Sequence, residues 1–252
     1  MRVTILGCGT SLGVPVIGCP CNVCTGAQPR NLRLRASIMM TVGDKNIVVD
    51  TTPDFRQQCL RYGVTRIDAI LLTHAHADHI HGLDDIRPFN FLSKRAMDVY
   101  CDSFTEERLR TAFAYIFVEH NYLGGIPKID LHRIENDFEV CGTPVTPLPL
   151  RHGSWTILGF RVGNFAYLTD TNGIPEATYA KLASLEVLIL DALQTKPHPT
   201  HFCLEESIAA AARIGAKQTY FTHMSHEFDY DALNAMLPPR MATAYDGQVI
   251  TM

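Results

Sequence analysis

Short runs of Val, Ile, Leu and Met recur along the chain, and most of them read as strands. Arg2–Leu6, Ser37–Val42, Asn46–Val49 and Ile67–Leu72 are each too short for a buried helix and rich in branched residues that suit a pleated surface. Gly43-Asp44-Lys45 predicts a hairpin turn between the second and third. A helix is expected after Asp50, because Pro53 can occupy a first turn, Phe55, Cys59 and Leu60 recur at helical spacing, and Gly63 stands where a C-cap would. Asp98–Cys101 reads as a further strand, and Thr105–Arg108 opens a helix with acid in its first turn and Leu109, Ala112, Phe113 and Ile116 on its buried face. From Phe117 to Ile134, aromatic residues mix with Gly124, Gly125 and Pro127, which predicts an irregular excursion. The strand pattern then resumes as Val140–Val145, Thr146–Leu150, Ile157–Val162 and Phe165–Leu168. A helix from Pro175 to about Leu185 and the apolar strand Val187–Leu190 follow, then an alanine-rich helix through Ser207 to Ile214, stopped at Gly215. Gln218–Thr222 is one more strand, and the tail from Asp229 carries a short helix and a last strand, Gln248–Ile250.

Glycine and proline are scattered, with no linker between the two groups of strands, so a single large domain over residues 1–252 is expected. A chain that is 46% hydrophobic and 19% charged can bury a sizeable core, and its net charge of -4 gives no general attraction to polyphosphate or anionic lipid. No stable nucleic-acid partner and no membrane association are therefore expected, while a homodimer stays open. The apolar run after Met1 ends at Gly7, too short for a signal-peptide core, and no later run approaches a membrane span; the expected location is the cytoplasm. There the eight cysteines should be reduced. Gly7–Pro15 carries glycines after a strand but neither phosphate-loop spacing, so it reads as a tight turn. Arg30, Arg33 and Arg35 read as a solvated basic face.

The chemistry enters where the strands end. Ile67–Leu72 runs into Thr73-His74-Ala75-His76-Ala77-Asp78-His79, which places three imidazoles and a carboxylate in consecutive reach. A turn there can aim His74 and His76 at one metal ion while Asp78 and His79 reach a second. His152, Asp170 and His223 likewise stand just beyond apolar strands. Asp50 and Asp191, also at strand ends, are plausible carboxylates for orienting ligand imidazoles through their free N–H groups. Cys19, Cys21 and Cys24 form a C-x-C-x-x-C cluster suited to structural zinc, which needs one more ligand from elsewhere; a redox pair or unrelated thiols are the alternatives. His81, His120 and His132 lack ligand spacing and read as structural.

The order and settings of these residues resemble the metallo-β-lactamase superfamily over nearly the whole chain. The resemblance implies an αββα sandwich with a dinuclear metal site at one edge of the sheets. It assigns His74, His76 and His152 to one metal, Asp78, His79 and His223 to the other, and Asp170 to a bridge. Within the superfamily, Gly18–Cys24, Leu148–His152, Leu168–Thr171 and Thr222–Asp229 are similar to the cyclic phosphodiesterase of the carbon–phosphorus lyase pathway, a PhnP-like hydrolase. That likeness implies His226 as the fourth structural zinc ligand and His201 as the non-ligand histidine that protonates the leaving alkoxide, with Asp78 also counted in the catalytic set. It lets no binding residue be carried onto Ile86–Pro127.

The expected activity is hydrolysis of a small cyclic phosphodiester, a ribose or nucleotide cyclic phosphate, to a phosphomonoester. Two divalent ions would lower the pKa of a shared water and stabilise charge on phosphorus. Zinc, manganese or iron would serve at a His/Asp site of this kind. The alternatives within the fold are a tRNA 3′-processing nuclease, for which no RNA-clamping arm or basic groove is visible, and an acyl hydrolase acting on a lactone or thioester.

Overall fold

Inward and outward residues alternate along the first four strands. Val3 and Ile5, Ile38 and Met40, Ile47 and Val49, and Ala69 and Leu71 share one buried cluster, whereas Leu6, Met39, Val48 and Ile70 belong to another. Successive side chains point to opposite faces, so strands that are apolar on both faces must be covered on both. The computed structural model describes residues 1–118 and 125–252 and shows what covers them.

The first sheet takes β1 (Arg2–Gly7), β2 (Ser37–Val42), β3 (Lys45–Val49), β4 (Ala69–Leu71), β5 (Met97–Cys101) and β6 (Ile129–Arg133). The second takes β7 (Phe138–Val140), β8 (Thr143–His152), β9 (Trp155–Val162), β10 (Phe165–Leu168), β11 (Val187–Asp191), β12 (Gln218–Thr222) and β13 (Met241–Thr243), and β14 (Val249–Thr251) returns to the edge of the first. Their spatial orders are β14-β1-β2-β3-β4-β5-β6 and β13-β12-β11-β10-β9-β8-β7. Each sheet changes from antiparallel pairing to a parallel run, β3 to β6 in the first and β10 to β13 in the second. Ligands of open α/β sheets gather beyond the carboxyl ends of such strands, and that is where Asp50, the His74–His79 segment, Asp170, Asp191 and His223 stand.

The helices are α1 (Asn22–Thr25), α2 (Phe55–Arg61), α3 (Ala77–Ile80), α4 (Arg87–Ser93), α5 (Ser103–Ala112), α6 (Ala114–Phe117), α7 (Glu176–Ala180), α8 (Leu204–Ile214) and α9 (Tyr230–Met236). Phe55 of α2, Phe89 of α4 and Leu109 of α5 cover the outer face of the first sheet. Tyr179 of α7 and Leu204, Ile208, Ala210 and Ala211 of α8 pack with the second, so the order of layers is helix, sheet, sheet, helix, as expected. Among the described residues no helix is long and apolar enough to cross a membrane.

The segment after β1 ties the sheets together at the edge that carries the site. Met224 N donates to Cys8 O (2.9 Å), Thr10 N to Met224 O (3.2 Å) and Gly9 N to Leu34 O (2.7 Å). A Cβ at Gly7 would stand 2.1 Å from Arg35 O, which explains the glycine better than phosphate binding does. The solvated basic face is corrected for two of its three members. Arg33 is only 1% exposed; its Nη1 donates to Ser225 O (3.0 Å) and its Nη2 to Phe228 O (2.7 Å). Arg35 pairs with Asp54 (3.0 Å), and Arg30 alone lies outward, over Tyr230 and Tyr245. The carbonyls that recruit Arg33 lie far away in sequence, so no local pattern announces them.

Other expectations also change. Phe117–Ile134 contains β6, and Val140–Leu150 is one long strand from Thr143 preceded by the separate β7. Leu60, at 67% exposure, and Ala112 face solvent rather than the core. α7 ends at Ala180, well short of Leu185, while α3, α4 and β13 were not expected. His120 and Gly124 lie outside the described residues. His132, read as structural, donates its Nε2–H to Asp98 Oδ1 (2.6 Å) and stacks on Tyr100, whereas His81 meets Phe113 edge-on.

Arg33→Ala should destabilise the chain by roughly 2 kcal/mol or more, because two buried carbonyls lose charged donors. Arg30→Ala, at the surface, should change stability by less than about 1 kcal/mol. Urea unfolding of both variants checks this, and equal effects would contradict the role of Arg33.

Candidate metal centre

Three of the candidate side chains stand on residues with left-handed backbone: Asp50 (φ 66°), Asp170 (φ 56°) and His223 (φ 57°). Each follows a strand by one or two residues, after β3, β10 and β12 respectively. Non-glycine residues adopt this conformation uncommonly, Asp and His among the more tolerant, and it costs about 1–3 kcal/mol where surroundings impose it. The turn carries each side chain off the strand end and into a buried setting.

Hydrogen bonds then fix which nitrogen of each imidazole is free. Asp50 is fully buried and accepts from Thr73 N (2.8 Å), Thr73 Oγ1 (2.9 Å) and His79 Nδ1 (2.8 Å). Since Thr73 spends its proton on Asp50, its oxygen accepts from His74 Nδ1 (3.0 Å), leaving a bare lone pair on His74 Nε2. His152 Nδ1 donates to Thr200 O (2.8 Å), which bares His152 Nε2 in the same way. Both bare nitrogens face His76 Nδ1, at 3.0 and 3.2 Å. Burial pushes all three of these imidazoles toward the neutral form, the state that binds a metal.

A second set lies alongside, the His74 and His79 rings being 4.2 Å apart. His79 Nε2 stands 3.3 Å from both Asp78 Oδ2 and Asp170 Oδ1, and His223 Nε2 stands 3.0 Å from Asp170 Oδ2 and 3.8 Å from Asp78 Oδ2. Among the described residues, buried His79 Nε2 and His223 Nε2 nevertheless have no hydrogen-bonding partner. Burial opposes charge on His223, but the carboxylates of Asp170, Asp191 and Asp78 outweigh it and raise the imidazole to about 9. Burial also works against ionised Asp78 and Asp170, yet the neighbouring histidines hold both well below the usual carboxylate range. This pocket stabilises positive charge, and unpartnered nitrogens among convergent carboxylates are a donor set that fits a divalent cation.

The donor atoms of His74, His76 and His152 lie within 4.8 Å of one another, as do those of Asp78, His79, Asp170 and His223. Asp170 also lies within that reach of His152, between the sets. His201 shares this second grouping: its ring stacks on His223 (4.7 Å, 8°), and its Nδ1 pairs with Asp191 Oδ2 at 3.0 Å. Asp191 therefore orients His201 directly, while its other oxygen stays 3.7 Å from His223 Nδ1.

Cys19, Cys21 and Cys24 surround His226 Nδ1 at 3.2, 3.4 and 3.6 Å, a soft four-donor set, and none of the cysteines is in a disulfide. The backbone N–H of Cys24 and the His226 ring lower the Cys21 thiol to about 6, while burial raises Cys24 to about 11. The three thiols and His226 fit a closed tetrahedral zinc site.

Sequence reasoning missed two contributors. Trp155, three residues beyond His152 across a tight turn, packs its ring 4.7 Å from His76; as the chain's single tryptophan beside a candidate ligand, it carried a usable signal. Asn172 accepts from Gly153 N (3.0 Å) and donates to Pro199 O (2.7 Å), bracing the hairpin of His152 against the loop of His201, and nothing local marks it.

Comparison with known proteins gives a consistent picture. Residues 45–224 match the family model described as a beta-lactamase superfamily domain. A crystal structure of a diphosphatase from the PhnP family is 43% identical, covers 100% of this chain and 97% of its own, and superposes with a TM-score of 0.93. Zinc-bound PqqB from Methylobacterium extorquens shares 21% identity with full coverage of both chains and a TM-score of 0.79, a likeness of fold. An octanoyltransferase of Porphyromonas gingivalis is 36% identical over 252 residues, 98% of this chain but 51% of that protein, so the chain spans about half the length of this curated relative.

Elemental analysis of chain saturated with metal should find three divalent ions, one for each of the separate donor sets. Asp170→Ala should lose catalytic-set metal and Cys21→Ser one zinc, with a fall in melting temperature. A single ion in the saturated parent chain would contradict the division into sets.

Proposed function

The chain belongs to the metallo-β-lactamase superfamily as a metal-dependent hydrolase, and from that premise we propose that it cleaves the P–O bond of a small cyclic phosphodiester, leaving a phosphomonoester. One observation carries the reading: Asp170 stands between two donor sets with His201 alongside, where a leaving oxygen can receive a proton. His74, His76 and His152 would hold one divalent ion and Asp78, His79 and His223 the other, with Asp170 shared. Such ions would supply an activated water and positive charge for the phosphoryl oxygens.

The remaining work falls to the chain's own groups. Asp191, which is fully buried and also accepts from Thr171 N (2.8 Å), holds the Nδ1–H of His201 and so commits its Nε2 to the reacting side. From there a protonated His201 can deliver its Nε2 proton to the departing alkoxide, a poor leaving group without one. The ionised Asp78, open to the pocket at 15% side-chain exposure, can accept a hydrogen bond from the attacking water and orient it, the water's proton passing on to solvent. Water adds to phosphorus, the ester P–O bond breaks, and the alcohol leaves with the proton from His201. In a cyclic substrate both groups stay on one product. The substrate is taken as a small molecule, since the metals themselves would supply the local positive charge that a chain of net charge -4 lacks.

A diphosphate is the second reading, favoured by the activity named for the PhnP-family relative. The same groups would serve, the leaving oxygen then belonging to a phosphate. A screen of metal-reconstituted chain over cyclic phosphates, linear diesters, diphosphates and acyl substrates separates them. Turnover of cyclic phosphates supports the first reading, preference for diphosphates the second, and efficient cleavage of only a lactone or thioester overturns both.

His201→Ala should lose about a hundredfold or more in kcat on substrates with alkyl leaving groups, the usual size of a general-acid contribution. On a nitrophenyl diester, whose leaving group needs little protonation, the loss should be far smaller. Equal losses would move His201 from proton transfer to binding.

A further inference from the structure

Beside the donor sets, three side chains form a row that the hydrolytic chemistry does not use. Trp155 opens β9 directly opposite His152 in the hairpin, and its ring lies 4.7 Å from that of His76 at 39°. The edge of Phe104, near the start of α5, meets Trp155 at 5.0 Å and 66°. The guanidinium of Arg108, one helical turn on, lies 5.0 Å over the Phe104 ring. Trp155 and Phe104 are each partly exposed, Arg108 is exposed, and among the described residues Arg108 has no ion pair and no side-chain hydrogen bond. Aromatic surface kept partly open to water beside a reaction pocket, with an uncommitted cation at its far end, suits stacking of a flat polar ring. Such a ring has a π-face for Trp155 and Phe104 and an electron-rich rim for Arg108.

We propose that Trp155, Phe104 and Arg108 form a subsite for a heteroaromatic base on the substrate, so that the chain prefers nucleoside-bearing phosphoesters to base-free sugar phosphates. This rests on the phosphoesterase reading and narrows its substrate class. The subsite adjoins His76, so a base stacked there places its ribose phosphate toward the donor sets. A purely structural account, in which Trp155 serves only to orient His76, gives Phe104 and Arg108 no task and predicts no dependence on the base.

Because Trp155 is the only tryptophan in the chain, its fluorescence reports the subsite without any turnover. Metal-loaded chain is titrated with adenosine monophosphate and, separately, with ribose phosphate. The nucleotide should change Trp155 emission saturably and ribose phosphate should not. Base–aromatic stacking adds affinity for each base, so Phe104→Ala should weaken nucleotide binding about tenfold and ribose phosphate binding by less than about threefold. In turnover, Trp155→Ala should raise KM for a nucleoside cyclic phosphate about tenfold more than for a base-free cyclic ribose phosphate. Equal effects with and without the base, or loss of bound metal from Trp155→Ala that accounts for the whole change, would overturn the subsite. Base-dependent binding by a chain that hydrolyses no phosphoester would uphold the subsite and overturn the reaction instead.

Discussion

Burying carboxylates at the edge of two apolar sheets is the constraint on which the rest of this structure depends. Asp50 and Asp191 are fully buried and Asp170 nearly so, and ionised groups in such surroundings are tolerated only when paired and hydrogen-bonded. Asp50 is satisfied on both oxygens by Thr73 and His79, whereas Thr171 and His201 satisfy one oxygen of Asp191. Asp170 accepts from Thr169 Oγ1 (2.5 Å) and also faces the Nε2 atoms of His79 and His223, which lack a hydrogen-bond partner among the described residues, in a pocket that favours positive charge. That imbalance is the physical content of a metal centre, and the parallel strand ends of both sheets are what bring its parts together.

The two candidate metal environments are mechanically joined. His223 and His226 share one loop after β12, and that loop is gripped by Cys8 and Thr10 through Met224 and by Arg33 through Ser225 and Phe228. The thiol cluster thus anchors the segment that delivers His223, and the segment after β1 links it to the first sheet. Burial and hydrogen bonding, more than the thiols alone, set the position of that ligand.

Much of the site was legible because its residues cluster locally or end strands visibly. His74 to His79 occupy consecutive positions, and Cys19, Cys21 and Cys24 lie within one turn. The strands on both sides were legible for the same reason, their apolar runs being buried on both faces. What escaped was long-range. Arg33 looked like a surface charge because the carbonyls it serves lie almost two hundred residues away, at 225 and 228. Asn172 braces two loops that only the fold makes neighbours, and Trp155 gains its meaning from His76, in the loop that follows a strand of the other sheet. The left-handed turns at Asp50, Asp170 and His223 also have no local signature, since none uses glycine.

The most direct test of the central claim, attack of water on phosphorus at this metal centre, is ring opening of a cyclic phosphodiester in heavy-oxygen water, followed by phosphorus NMR. The account predicts metal-dependent turnover with one heavy oxygen placed on phosphorus in the product. Heavy oxygen appearing on the sugar instead, or equal turnover after the metals are stripped, would contradict it.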